Sequence, residues 1–368
     1  MKVRYSYLPQ QFSKCDDLWR RLKVFVKSGD FTLGKPLQIF EKKFANLIGT
    51  KYAIGVNSGT DAIKLSLKAI GIKSGDEIIT AANTFVATVG AICEIGAVPV
   101  FVDCDDTFCM NVKDIEKRIT KKTKAIVPVH YTGYMANMPD LLKLAKKYKL
   151  PIVEDACQSI LASINEKKAG TWGITGAFSL HPLKNINVWS DGGIVVTNSK
   201  SIYEKIKLLR NHGLVGRDHV KICGYNSRLD TLQAVVGNWL IPKAKKIAQQ
   251  RIANACILDN YFKKIPQIKI PPRIKNYKIV FHLYIIFAQR RDELLDYCLK
   301  KGIEAKIHYP IPMYLQNAVK FLGYKKGDFP VTDQQSKSII SFPCDQHLSK
   351  AQLFYIYKTV RNFYKKYN

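Results

Sequence analysis

No stretch of the sequence approaches the roughly 20 consecutive apolar residues that a bilayer-spanning helix needs, so a membrane span is not expected. The first residues, Met1-Lys2-Val3-Arg4-Tyr5-Ser6-Tyr7-Leu8, turn polar at Gln10-Gln11 without building the apolar core of a signal peptide. A cytoplasmic protein is the expectation. The nine cysteines form an odd set, and no two have CxxC spacing. That argues against a zinc or dithiol redox site and against a disulfide framework, and it predicts reduced thiols and no metal. Acidic residues are scarce: 29 Asp and Glu stand against 58 Lys and Arg, a formal net charge of +29. Such a field attracts polyanions. Yet the lysines are scattered in pairs such as Lys42-Lys43, Lys121-Lys122 and Lys263-Lys264, and no basic arm, recognition helix or aromatic-basic RNA motif accompanies them. The reading is a solvated Lys-rich surface without specific nucleic-acid binding, the alternative being a true polyanion-binding face. Internal repeats and low-complexity linkers are also missing.

What is present is a chain of 368 residues, long enough for two or three domains. From about Lys51 to Asn198, short apolar runs alternate with helical patterns. Tyr52–Val56, Glu77–Thr80, Val98–Val102, Ala125–Val129 and Ile152–Asp155 read as strands. Asp61 to Ile70, a stretch through Val89 and Ile92, and Pro139 to Lys147 read as helices. Buried strands alternating with helices predict an α/β fold with a mostly parallel sheet covered on both faces. Past Arg228 a long helix is predicted to about Ala248. The last third differs, with one strong strand at Phe281–Phe287 and helices at Asp292–Lys301 and Lys350–Tyr364. The expected division is a large α/β domain over 1–248 and a smaller α+β domain over 249–368.

Four constellations carry candidate chemistry. Asn57-Ser58-Gly59-Thr60-Asp61 follows a strand and opens a helix. Free N–H groups there suit a phosphate, and glycine permits close approach; the same residues also make a plain helix cap. In Val153-Glu154-Asp155-Ala156-Cys157-Gln158, the aspartate ends a strand where open α/β sheets bind ligands. Its carboxylate suits a protonated ring nitrogen or merely caps a helix. Lys184 lies between Phe178-Ser179-Leu180-His181 and the Gly192-Gly193 turn, and in a pocket its amine would be a nucleophile. In so lysine-rich a chain a surface role is the competing reading. Asn226-Ser227-Arg228 precedes an amphipathic helix and serves either as anion ligands or as a cap.

Taken in this order and spacing, together with Thr84-Phe85-Val86-Ala87-Thr88 and Ile307-His308-Tyr309-Pro310-Ile311-Pro312, the four resemble the DegT/DnrJ/StrS family of sugar aminotransferases from about Gly29 to the C-terminus. The resemblance implies the type I fold of pyridoxal-phosphate (PLP) aminotransferases: a large domain with a mostly parallel mixed sheet between helices, plus a small C-terminal α+β domain. It implies Lys184 as the Schiff-base lysine and Asp155 as partner of the pyridine nitrogen. Gln158 would contact the ring face or its hydroxyl, Phe85 would stack on the other side, and Gly59, Thr60 and Ser179 would hold the phosphate. Asn226 would reach the neighbouring site of a homodimer with composite active sites. His181, Arg228, His308 and Tyr309 are the implied substrate contacts.

The implied reaction passes an amino group from L-glutamate, through pyridoxamine phosphate, to a nucleotide-linked (dTDP or UDP) keto-sugar. Asn187-Val188-Trp189-Ser190-Asp191-Gly192-Gly193 stands where enzymes aminating C4 carry a Thr-Thr-Gly-Glu-Gly-Gly-like run. With the 226–234 and 308–312 segments it is more similar to the branch that aminates 3-keto sugars, although Trp189-Ser190 departs from that branch's glycine-containing pattern. The alternatives are amination at C4 or of another keto-sugar or cyclitol, a sugar dehydratase on the same fold, and a non-catalytic regulator.

Overall fold

The structure is a computed structural model and describes residues 1–366. The predicted alternation is realised as strands β1 (Tyr52–Val56), β2 (Glu77–Ala81), β3 (Val98–Val102), β4 (Thr123–Val127) and β5 (Val153–Asp155), followed by β6 (Thr175–Ser179) and β7 (Gly193–Thr197). The outer members form two ladders, β3-β2-β4 and β1-β7-β6-β5. Parallel bridges Ile126–Ile152 and Val129–Asp155 join them through β4 and β5. The result is a mixed sheet in the order β3-β2-β4-β5-β6-β7-β1 in which only β7 runs against its neighbours.

Apolar, β-branched residues buried on both faces make this a central sheet. Its parallel strands aim their carboxyl ends at one edge. Asp155, Ser179 and the Ser58 turn after β1 therefore meet there, which no single sequence segment could arrange. At β7, Gly193 pairs with both Val56 and Ser179. A Cβ on it would lie 2.0 Å from the carbonyl oxygen of Ser58, so glycine is required where the two strand ends converge.

The C-terminal part has its own antiparallel sheet of Ile268–Lys269, Tyr284–Ala288 and Ile339–Phe342, with helices Arg291–Lys300 and Lys350–Lys365. Val3 bridges Ile303, which ties the first residues of the chain to this part. Two expected elements are corrected. The long helix after Arg228 is broken: Thr231–Leu240 ends in a 3-10 turn at Ile241–Lys243, and a second helix runs Ala244–Phe262. Pro242, which has no N–H to donate, sits in that turn. Residues 248 and 249 lie inside the second helix. The strand expected at Phe281 begins only at Tyr284, because Phe281 adopts a left-handed φ of 46° and turns the chain toward the sheet edge.

Candidate active site

A cavity of about 250 Å³ opens at this edge, lined by the strand ends, the first residues of the chain and the 306–309 segment. One wall is the start of the Gly59–Ala69 helix. Ser58 caps it, its hydroxyl accepting from Asp61 N at 3.1 Å. The first amides of an α-helix have no partner within it and carry its positive dipole end. Gly59 packs so closely that a Cβ would lie 2.8 Å from Ser179 Cβ and 3.0 Å from Cys157 Sγ.

Asp155 closes β5 and is 5% exposed. Thr88 Oγ1 donates to its Oδ2 at 2.7 Å, and Cys157 N donates to its Oδ1 at 3.1 Å. Both donors are neutral, and no cation among the described residues pairs with this carboxylate. Beneath it, Glu154 is fully buried and accepts from Gly170, Trp172 and Gly173 N–H groups and shares a 2.9 Å hydrogen bond with His130 Nε2. That network fixes the strand end. Gln158 is anchored through Oε1, which accepts from Thr132 N at 2.8 Å, leaving its amide NH₂ as the donor.

Lys184 sits on a loop closed at its base by Leu180 N to Gly192 O (2.7 Å) and Val188 N to Leu180 O (3.1 Å). Tyr7, 177 positions earlier, donates its hydroxyl to Lys184 O at 2.8 Å. Burial lowers the Lys184 ammonium below the usual lysine pKa, against the opposing pull of Cys157 and Asp155. The same cationic neighbourhood acts on the histidines. His181 is lowered by burial and by Lys184. His308, whose Nδ1 hydrogen-bonds Ser341 Oγ at 2.8 Å, is pulled down to about 4 by burial and by Lys306 and Lys184. Burial raises the Tyr309 phenol, and Asp155 adds to it. The Phe85 ring lies 5.8 Å from that of Tyr309 and stays half exposed at the mouth.

The structure thus brings Gly59, Thr60, Phe85, Asp155, Gln158, Ser179, His181, Lys184, His308 and Tyr309 to one cavity. It does not bring Asn226 or Arg228 there. Asn226 is exposed and bridges Asn211, and Arg228 donates to Asn211 Oδ1 at 3.0 Å. Sequence reasoning missed Tyr5, Tyr7, Arg251 and His282 in the lining and Thr88 behind Asp155. Thr88 lies in the 84–88 run and its signal was available. The others reach the cavity from remote segments with no local motif.

Against known proteins, residues 15–361 match the family described as DegT/DnrJ/EryC1/StrS aminotransferases. A "pleiotropic regulatory protein" of Geobacillus stearothermophilus is 35% identical over 371 residues, covering all of both chains. A UDP-N-acetyl-3-dehydro-alpha-D-glucosamine 3-aminotransferase of Acidithiobacillus ferrooxidans is 35% identical over 94% of this chain and 93% of its own. Among solved structures, S. venezuelae DesV in complex with a ketimine intermediate superposes with a TM-score of 0.96 at 32% identity, with 98% of each chain covered.

Proposed function

The chain belongs to the DegT/DnrJ/EryC1/StrS aminotransferase family, and on that premise we propose that it moves an amino group from L-glutamate to a nucleotide-linked 3-keto-hexose, with PLP held at Lys184. The observation that carries the reading is the convergence of three unlike groups on one cavity: an amine of lowered pKa, a buried carboxylate with neutral donors only, and the open start of a helix. PLP has one chemical handle for each. Its aldehyde matches the Lys184 amine, its protonated ring nitrogen the Asp155 carboxylate, and its phosphate the amides and hydroxyls of Gly59, Thr60 and Ser179. Phe85 and Gln158 would flank the ring.

When bound, the cofactor supplies the electron sink that stabilises a carbanion. The residues do the rest. Asp155 would keep the ring nitrogen cationic, and Thr88 holds that carboxylate in place. Lys184 Nζ would hold the cofactor's aldehyde carbon and would be the base placed to take the proton from the donor's Cα. General acid–base help of this kind contributes roughly 10²–10⁴-fold. His181 and Tyr309 border the space left for the sugar, and His308 shares that border as a neutral ring.

Support for the 3-keto-sugar comes from the 187–193 run and from the Acidithiobacillus relative, which is named for the 3-position of a UDP-sugar. A homodimer completes the proposal: Asn226 and Arg228 lie outside their own chain's cavity and would serve the neighbour's. The Geobacillus relative named as a regulator favours a second reading, a regulatory protein on this fold. A regulator has no need of the Lys184–Asp155 pair, which this chain keeps, and the retained lysine also weighs against a dehydratase. The deciding experiment is a screen of dTDP- and UDP-linked 3-keto and 4-keto sugars with glutamate, read by mass spectrometry. An amino-sugar product from a 3-keto substrate is the expected result. Product from 4-keto substrates alone would move the reading to C4, and no product with any sugar would favour the regulator.

A further inference from the structure

Arg251 is 3% exposed and lies in the lining of the same cavity as the helix start. The two other arginines buried to a similar degree each have a carboxylate: Arg210 pairs with Glu41 and Arg291 with Asp292. Arg251 forms no ion pair with any described residue. Its Nε donates to Gln346 Oε1 at 3.1 Å, and its Nη1 donates to Phe281 O at 3.0 Å and, more weakly, to His282 O at 3.5 Å. Those neutral acceptors fix the guanidinium plane, and no carboxylate of the described residues comes within ion-pair distance of it, although buried charges are usually paired directly. Its remaining face lies by Tyr7, whose ring centre is 5.0 Å from the guanidinium carbon.

His282 gives an independent sign of an unfilled place. Its Nδ1 is buried without a hydrogen-bond partner among the described residues, and the ring lines the same cavity. It stands close enough to both Lys184 and Arg251 to feel their charges, which with burial keep it neutral. Asp345 lines the same cavity and interacts with the Arg251 charge at longer range, while its Oδ1 accepts from His347 N at 2.8 Å.

We propose that Arg251, with His282 beside it, is a carboxylate-binding subsite of the cavity, and that its ligand during turnover is a carboxylate of the amino donor. The inference rests on the aminotransferase reading above. A guanidinium presents a planar fork that matches a carboxylate, and a neutral imidazole can supply one further N–H without a second charge. Every amino-acid donor places a carboxylate near the carbon that reacts at Lys184, and His282 links the two positions. A carboxylate on the sugar is the other source of the same chemistry.

The two half-reactions separate these sources. In the PLP-loaded protein, Arg251→Met should raise the L-glutamate concentration for half-maximal conversion by roughly 10–100-fold, the scale of lost charge-assisted hydrogen bonds. The keto-sugar half-reaction, started from the pyridoxamine form, should change less than threefold, an order-of-magnitude bound for a site not touched. Arg251→Lys, which keeps the charge, should recover part of the loss and guards against misfolding of the methionine variant. The wild type gives a check that needs no variant. L-glutamine and L-isoglutamine each lack one glutamate carboxylate, and one of them should react far more poorly than glutamate. That discrimination should vanish in Arg251→Met or shrink in Arg251→Lys.

A defect confined to the sugar half-reaction would overturn the donor assignment and place the sugar's own carboxylate there. Unchanged kinetics in both half-reactions, or discrimination that persists in the variants, would overturn the subsite. A wild-type protein that binds PLP yet never consumes glutamate would instead reject the parent reading, and the proposal with it.

Discussion

Lys184 sits where burial and neighbouring charge oppose one another, and burial prevails. Its pKa falls below the ordinary lysine value of 10.5, so the neutral amine is present at lower pH than on a surface lysine. Capture of PLP by the apoprotein, followed by absorbance, should therefore rise with pH and reach its midpoint below 10.5. Lys184→Ala should lose that capture and cut transamination by more than the roughly 10²–10⁴-fold expected from acid–base help alone, since the covalent anchor goes too. A variant turning over within tenfold of wild type, about the lower edge of that range, would remove Lys184 from the mechanism.

Asp155 accepts from two neutral donors, so its charge is free to act on a ring nitrogen. Asp155→Asn keeps the shape and removes the charge. Activity should fall by about 10²-fold or more, the order of a lost preorganised electrostatic contact, with the fold intact by circular dichroism. Normal activity would leave Asp155 as a cap. At this scale the sequence was readable where a residue sits in a local pattern. Lys184, Asp155 and Gly59 each lie at a strand end or helix start that can be recognised in a few residues. Tyr7 and Arg251 could not be found that way. Tyr7 touches the Lys184 carbonyl from 177 positions away, and Arg251 lies within an ordinary helix that only the folded chain sets beside the cavity.

Among the elements, the Gly59–Ala69 helix is set by a close contact. Its first turn lies against the end of β6, and the Ser179 and Cys157 side chains leave no room for a methyl group at Gly59. Gly59→Ala should destabilise the fold by about 1–3 kcal/mol, the usual cost of overpacking. It should weaken PLP binding beyond that by shifting the amides of the first turn. Thermal melts of the apoprotein and cofactor titrations measure the two effects separately. A variant that binds PLP as tightly as wild type would show that these amides do not hold the phosphate. The strand pattern itself was legible because period and β-branching are local. The break at Ile241–Lys243 and the late start of the Tyr284 strand were less so. One depends on how Pro242 is accommodated, and the other on Phe281 taking a left-handed φ of 46° just before the strand.

For the whole molecule, Asn226 and Arg228 lie outside the lining of the cavity that holds the other candidate residues. If a second copy supplies them, Lys184→Ala and Asn226→Ala chains should complement. After subunit exchange, the mixed dimer has one site with both lesions and one with neither, and activity should return toward a statistical share. If exchange is verified, each parent is inactive and the mixture stays inactive, the sites are not shared. Reciprocal sharing is what a two-fold axis provides. The lysines and arginines behind the net charge of +29 are scattered along the sequence rather than gathered into a basic arm, and no helix among the described residues is long and apolar enough to cross a membrane.

The central role proposed for Lys184 is to hold PLP and give it up to an amino donor. Borohydride reduction of the PLP-loaded protein, followed by peptide mass spectrometry, tests it directly. The phosphopyridoxyl mass should appear on the peptide containing Lys184. It should disappear when glutamate is added before reduction, and return when a 3-keto nucleotide sugar follows the glutamate. A label on another lysine, or one on Lys184 that glutamate does not remove, would contradict the account.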